Sequence, residues 1–220
     1  MLTIIPWILA FVVAITVHET AHAWMSDKLG DPTARLMGRL SLNPIVHYDP
    51  IGTTLLIFLV FLRAVTQNPA IIPFGWAKPV VFDPYNLKNP RRDSAIISLA
   101  GPVSNLLLAF VLSIILRFTQ AFPFAALTLF LFIYPIIMLN VVLAVFNLIP
   151  IHPLDGGKIF IGLLPAREAK DADIFLRRYG FIILLFLIFP TFSGTSPIFM
   201  VLSPIIDFLL KVFIPGNPIV

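Results

Sequence analysis

Two histidines four residues apart flank a glutamate in the stretch His18-Glu19-Thr20-Ala21-His22. Residues at this spacing share one face of a helix, so both imidazoles can grip a single metal ion. Glu19 then stands where a carboxylate can take a proton from water at that ion, which is the chemistry of a zinc hydrolase. The motif ends an uncharged apolar run, Leu2–Val17. Ionisable side chains at the end of such a run are costly in a bilayer and mark functional sites.

Catalytic zinc sites take three protein ligands and leave a fourth position open. The chain has no cysteine, which excludes thiolate metal sites, cysteine nucleophiles and disulfides. His47, His152 or a carboxylate remain as sources of the third ligand. Asp155 is the strongest of these. It lies in Asn147-Leu-Ile-Pro150-Ile-His152-Pro153-Leu-Asp155-Gly156-Gly157, where two prolines break a helix and two glycines permit close backbone approach. Non-helical backbone at membrane depth is tolerated only where it is buried in protein or lines a cavity.

The elements that must position these groups are membrane helices. Of the 220 residues 59% are hydrophobic and only 12% charged, about half the charged share of a soluble domain, and the mean hydropathy is +0.97. The net charge of +4 fits the cytoplasmic Lys/Arg bias of a membrane protein. No basic stretch is interleaved with aromatics in a nucleic-acid pattern. The N-terminal apolar run lacks a positive n-region, so it reads as a retained membrane helix rather than a cleaved signal.

Five segments approach the length of a bilayer span: Leu2–Trp24, Ser94–Leu116, Phe124–Phe146, Tyr179–Phe189 with its flanks, and Ser196–Ile214. A sixth, Ile51–Leu62, is short and suits a re-entrant piece. With that piece not crossing, fourteen of the fifteen Lys/Arg residues, Lys211 included, fall on one side and only Arg117 on the other. The positive-inside rule makes the crowded side cytoplasmic and the N-terminus external. The same topology brings His22 and Asp155 to one face at one depth. Ile71–Phe82, rich in Pro, Gly and β-branched residues, reads either as short strands or a hairpin near the membrane surface or as an irregular loop. The expected fold is an all-α polytopic membrane protein of five to six transmembrane helices, with a re-entrant or short-strand element between the first two core helices. It forms a single domain, 1–220, with a core at 1–160 and accessory helices at 179–214.

These residues carry a family resemblance. The chain resembles the site-2 protease family of intramembrane zinc metalloproteases, in a short form without PDZ or CBS domain. The matches are H-E-x-x-H at His18–His22, G-P-x-S-N at Gly101–Asn105 and N-x-x-P-x-x-P-L-D-G-G at Asn147–Gly157, with Phe74-Gly-Trp-Ala-Lys-Pro79 between them. They cover about Val13 to Phe160. The resemblance implies one Zn2+ held by His18, His22 and Asp155, Glu19 as the catalytic carboxylate, and Asn147 near the substrate or oxyanion. It places Asn105 on a neighbouring core helix. The implied partners are a membrane-anchored protein substrate and the bilayer, with no nucleic acid. The implied location is the cell membrane of a prokaryote, crossed several times, with the active site near the cytoplasmic face.

The remaining polar residues have structural readings. Asn105 serves either an interhelical hydrogen bond or the site, Asn140 packs, His47 is a loop histidine, and His152 is a loop residue or pocket wall. Two other function classes compete: a transporter that binds metal in transit, and a non-catalytic membrane binding protein. The first needs a polar path that Phe124–Phe146 does not offer. Neither gives Glu19 a task.

Overall fold

The computed structural model describes residues 4–66, 75–119, 123–189 and 196–214. Among them every regular element is a helix. They are α1 (Ile4–Lys28), α2 (Thr33–Leu36), α3 (Gly52–Thr66), α4 (Pro90–Thr119), α5 (Pro123–Asn147), α6 (Asp155–Leu163), α7 (Ala166–Ile188) and α8 (Pro197–Phe213), with 3-10 turns at Pro44–His47 and Pro84–Asn86. Three helical stretches, Ile4–Lys28, Pro90–Phe118 and Thr128–Asn147, are long and apolar enough to cross a membrane. The expected all-α membrane fold is therefore observed. The strands expected in Ile71–Phe82 are not seen among the described residues: 75–83 have no regular secondary structure, and 71–74 lie outside the described residues.

Helices α1, α4 and α5 pack on one another, α6 lies on α4, and α8 lies on α5. Ile198, Leu202, Ile206, Leu210 and Ile214 recur every four residues, which puts them on one face of α8. That face closes a core with Ala109 and Leu116 of α4 and Ile133, Ile137, Val141 and Val145 of α5. Outward-facing apolar side chains such as Phe110, Ile115, Phe199 and Phe208 remain exposed, as a lipid-facing surface requires.

Between α1 and α4, the described elements α2, the 3-10 turn at Pro44–His47 and α3 each pack against α1. Tyr48 pairs its hydroxyl with Thr54 at 2.6 Å, and Thr53 donates to the carbonyl of Trp76 at 3.2 Å. Gly52 lies so close to Trp76 that a Cβ there would sit 2.5 Å from the indole. The chain thus departs at Gly52 and returns at Gly75-Trp76 to the same place.

One charge placement is corrected. Arg117, at the C-terminal end of α4, donates to the carbonyl of Val212 at 2.7 Å, and Phe110 meets Phe213 edge-on. The C-terminal end of α8 therefore lies beside that of α4, and Lys211 shares Arg117's end of the bundle rather than joining the other cations. The physical reason is length. Tyr179–Phe189 spans only about 16 Å as a helix, roughly half of a bilayer core, too little to turn α8 over. Gly180 packs against the carbonyl of His152, so only the last turns of α7 rise beyond that level.

Helix α6 approaches α4 closely: a Cβ on Gly162 would lie 2.3 Å from that of Ala95. Gly162→Val should force the two helices apart and lower stability by about 1–3 kcal/mol, read as a drop in the thermal unfolding midpoint of the detergent-solubilised protein.

Candidate metal centre

Helix α1 is apolar on all sides until its last three turns, where His18 and His22 sit buried one above the other. Their rings meet edge to face with centroids 4.6 Å apart. Each ring is held from behind. His18 Nδ1 lies 2.7 Å from Asn105 Oδ1, and His22 Nδ1 lies 2.7 Å from the carbonyl of Ile97. Both partners on α4 are acceptors, so both Nδ1 atoms carry the proton and both Nε2 atoms present lone pairs. The orientation of Asn105 is itself fixed. Its amide nitrogen donates to Ala14 O at 3.0 Å and to Asn140 Oδ1 at 2.6 Å, while Asn140 donates to Ile136 O.

Asp155 opens α6, directly after the proline-broken loop that follows α5. Its Oδ2 lies 3.1 Å from His18 Nε2 and 3.2 Å from His22 Nε2, and the two Nε2 atoms are 3.1 Å apart. Three atoms able to ligate a metal thus converge on one point. Tetrahedral zinc with N and O ligands holds its donor atoms about 3.3–3.5 Å apart, so the triangle fits zinc with shifts of a few tenths of an ångström. These three residues form a group able to hold a metal ion. His47 and His152 do not join it. His47 is buried with Nε2 2.8 Å from Ser41 O, and His152 lies 3.4 Å from Asp173.

Glycines make the approach possible. A Cβ on Gly101 would fall 2.5 Å from His22 Nε2 and 2.6 Å from His18 Cε1, so α4 reaches the imidazoles only because position 101 has no side chain. A Cβ on Gly156 would fall 2.1 Å from the carbonyl oxygen of Ile149, so the loop folds back on α6 only with glycine there.

Glu19 lies beside the ligand pair in a cleft of about 160 Å³ that also includes Val80, Phe82, Ser98, Asn147 and Lys158. Its Oε2 accepts the backbone N–H of Val80 at 2.8 Å. The irregular run that supplies this donor is anchored by buried Asp31, which accepts hydrogen bonds from Ser26, Thr33, the N–H of Asp83 and the amide of Asn86. Burial alone would raise the Asp31 pKa, but these donors outweigh it and hold it at about 2, so the anchor stays ionised. Asn147 reaches the cleft with its amide nitrogen bonded to its own helix at Leu143 O, 3.0 Å. Lys158 was not singled out from sequence. It stands over the Phe82 ring at 4.7 Å, and burial pushes its pKa below the usual lysine value, partly offset by Asp155 and Glu19. Its only sequence signal is its place three residues after Asp155, one helical turn along the same face.

Comparisons with known proteins agree with this geometry. The model of peptidase family M50 matches residues 6–129 and 120–189. A protein of Bacillus subtilis (strain 168) named "Putative zinc metalloprotease YwhC" is 38% identical over 219 residues, covering 96% of this chain and 93% of the relative. One of Mycolicibacterium smegmatis named "Putative zinc metalloprotease Rip2" is 31% identical over 183 residues, 82% of this chain and 65% of the relative. No solved structure matches the chain significantly. A family match across most of the chain, apolar helices and a buried His-His-Asp triangle point to one answer: the chain is a zinc metalloprotease and belongs to peptidase family M50, the site-2 protease family.

Proposed function

We propose that this membrane metalloprotease hydrolyses a peptide bond within or next to a transmembrane segment of a membrane-anchored protein, the reaction of regulated intramembrane proteolysis. The observation that carries the reading is the convergence of His18, His22 and Asp155 at the ends of apolar helices, with Glu19 on the open side of the triangle.

The three residues hold one Zn2+. Zinc bound there supplies Lewis acidity, which polarises a carbonyl and acidifies water. Glu19 is the general base: it takes the proton of the attacking water and passes it to the leaving amine. The Val80 N–H aims the carboxylate and leaves Oε1 for that proton. Asn147 keeps one amide hydrogen beyond the bond to Leu143 and can give it to the oxyanion or the substrate backbone. Segment 75–83 offers backbone groups beside Glu19, and an unwound substrate can lie along it by β-addition.

The whole chain, 1–220, serves as one membrane domain, with the catalytic core at 1–160 and helices 179–214 as accessory packing. In the bilayer α1, α4 and α5 cross fully. The apolar end of α7 enters part-way, α8 completes the passage, and α3 is the re-entrant element. The cations then divide thirteen to two, with Arg117 and Lys211 outside, and the active site lies near the cytoplasmic face of a prokaryotic cell membrane.

Zinc analysis and cleavage assays in proteoliposomes test the site. Glu19→Gln should keep about one zinc per chain and lose about 10²–10⁴-fold in cleavage of a membrane-segment substrate, whereas His22→Ala should lose the metal. Cleavage by Glu19→Gln at the wild-type rate would defeat the assignment. Asn105→Leu, which removes the acceptor behind His18, should weaken zinc affinity about 10–100-fold, measured by competition with a chelator. The absence of cysteine allows clean topology labelling. Single cysteines at Lys88 and Lys211 should react with a membrane-impermeant maleimide from opposite sides, and labelling from the same side would reject the crossing assigned to α8.

A further inference from the structure

A second cleft, of about 380 Å³, opens between the N-terminal turns of α4, the outer face of α6 and the first half of α7. Arg91, Lys158, Lys170 and Arg177 line it together with His152, and Asp173 is its one carboxylate. Asp173 is already engaged, 2.8 Å from Arg177 Nε and 3.4 Å from His152 Nε2. Arg91, Lys158 and Lys170 thus face the cleft without a carboxylate in its lining to answer them. Helices α4 and α7 both begin here, and their N-terminal dipole ends add positive potential. Asp93 and Glu168 stand in those first turns, but neither lines the cleft. His152 is pushed below its usual pKa by burial; the hydrogen bond and charge of Asp173 oppose that shift, and the charges of Arg177 and Lys158 add to it.

The cleft adjoins the catalytic one. Phe82 and Lys158 belong to both linings, so a chain lying across Glu19 and leaving past Lys158 enters the basic cleft within a few residues of the scissile bond. We propose that this cleft is a substrate subsite that accepts an acidic side chain flanking the cleavage site. The proposal rests on the protease reading above. A subsite of this sign also discriminates. Flanks of transmembrane segments on the cytoplasmic side are usually rich in Lys and Arg, and these cations repel them, so the cleft favours the exceptional acidic flank. A peptide is favoured over a lipid headgroup because the shared wall leads to Glu19.

The test separates binding from cleavage. Full-length Glu19→Gln protein in detergent is titrated with labelled peptides that have one apolar core and a flank of three Glu, three Gln or three Lys. The Glu flank should bind about tenfold more tightly than Gln, with Lys weakest, and the preference should shrink as salt rises. The double substitution R91E/K170E should reverse the order. The same peptides given to the wild-type enzyme in phosphatidylcholine vesicles should show the preference in KM rather than kcat. Equal binding of the three flanks, or an order unchanged by the charge reversal, would overturn the subsite. Retention of phosphatidylglycerol by the wild type and its loss from R91E/K170E, without a flank preference, would assign the cleft to a lipid headgroup and also overturn it. Flank-dependent binding without any cleavage by the wild type would keep the subsite and reject the protease reading.

Discussion

His18 Nε2, His22 Nε2 and Asp155 Oδ2 converge within 3.1–3.2 Å of one another in a buried site. Such an arrangement holds only where the surrounding chain enforces it. The rest of the core supplies that enforcement, with Asn105 and the Ile97 carbonyl holding each Nδ1 from behind. A metal ion at this point would meet groups already oriented, so little of its binding free energy would go into ordering them.

The same economy explains how α4 and α5 each hold a buried asparagine within an apolar helix. Asn105 and Asn140 are fully buried, and each unpaired amide there would cost about 1–3 kcal/mol. They pay this cost nowhere, because each bonds the other and the surplus hydrogens reach Ala14 O and Ile136 O. Three helices are tied by one network: α1 through Ala14 and His18, α4 through Asn105, α5 through Asn140. The ligand that the network steadies is His18, so the interhelical bond and the metal site are one device. The alternative between a structural and a functional Asn105 dissolves in this geometry.

That His18, His22 and Asp155 could meet, and where the long apolar helices lie, was legible in the sequence because both rest on local signals: helical spacing of His18 and His22, long uncharged runs, and prolines and glycines around Asp155. What was not legible depends on distance in the fold. Gly101 is one glycine in a helix until the Cβ it lacks is seen to collide with His22. Val80 lies sixty-one positions from Glu19 along the chain, and a backbone N–H has no sequence signature. Lys158 reads as a solvated charge until Phe82 covers it. Lys211 was misplaced for a different reason. Counting charges assumes that each apolar run crosses, and the eleven residues of Tyr179–Phe189 are too few to do so alone. By the positive-inside rule, the proposed division of thirteen against two favours the same face.

Asp155 shows why the third candidate ligand opens a short helix after a loop rather than sitting in a full span. An aspartate side chain is short, so the position of Oδ2 is set almost wholly by where the backbone lies. A regular continuation of α5 would carry the carboxylate past the histidines on a rigid path. Pro150 and Pro153 end that path, the chain turns back on Ile149 where Gly156 has no Cβ, and α6 settles on α4 through Gly162 and Ala95. The metal triangle is therefore closed by packing between backbones, at a helix that begins on the ligand itself. Its precision then depends on α4, which bears Gly101 against the imidazoles at one level and Ala95 against α6 at another. A single helix sets both the tautomers of the histidines and the reach of the aspartate, so a shift of α4 along its axis would disturb all three ligands at once.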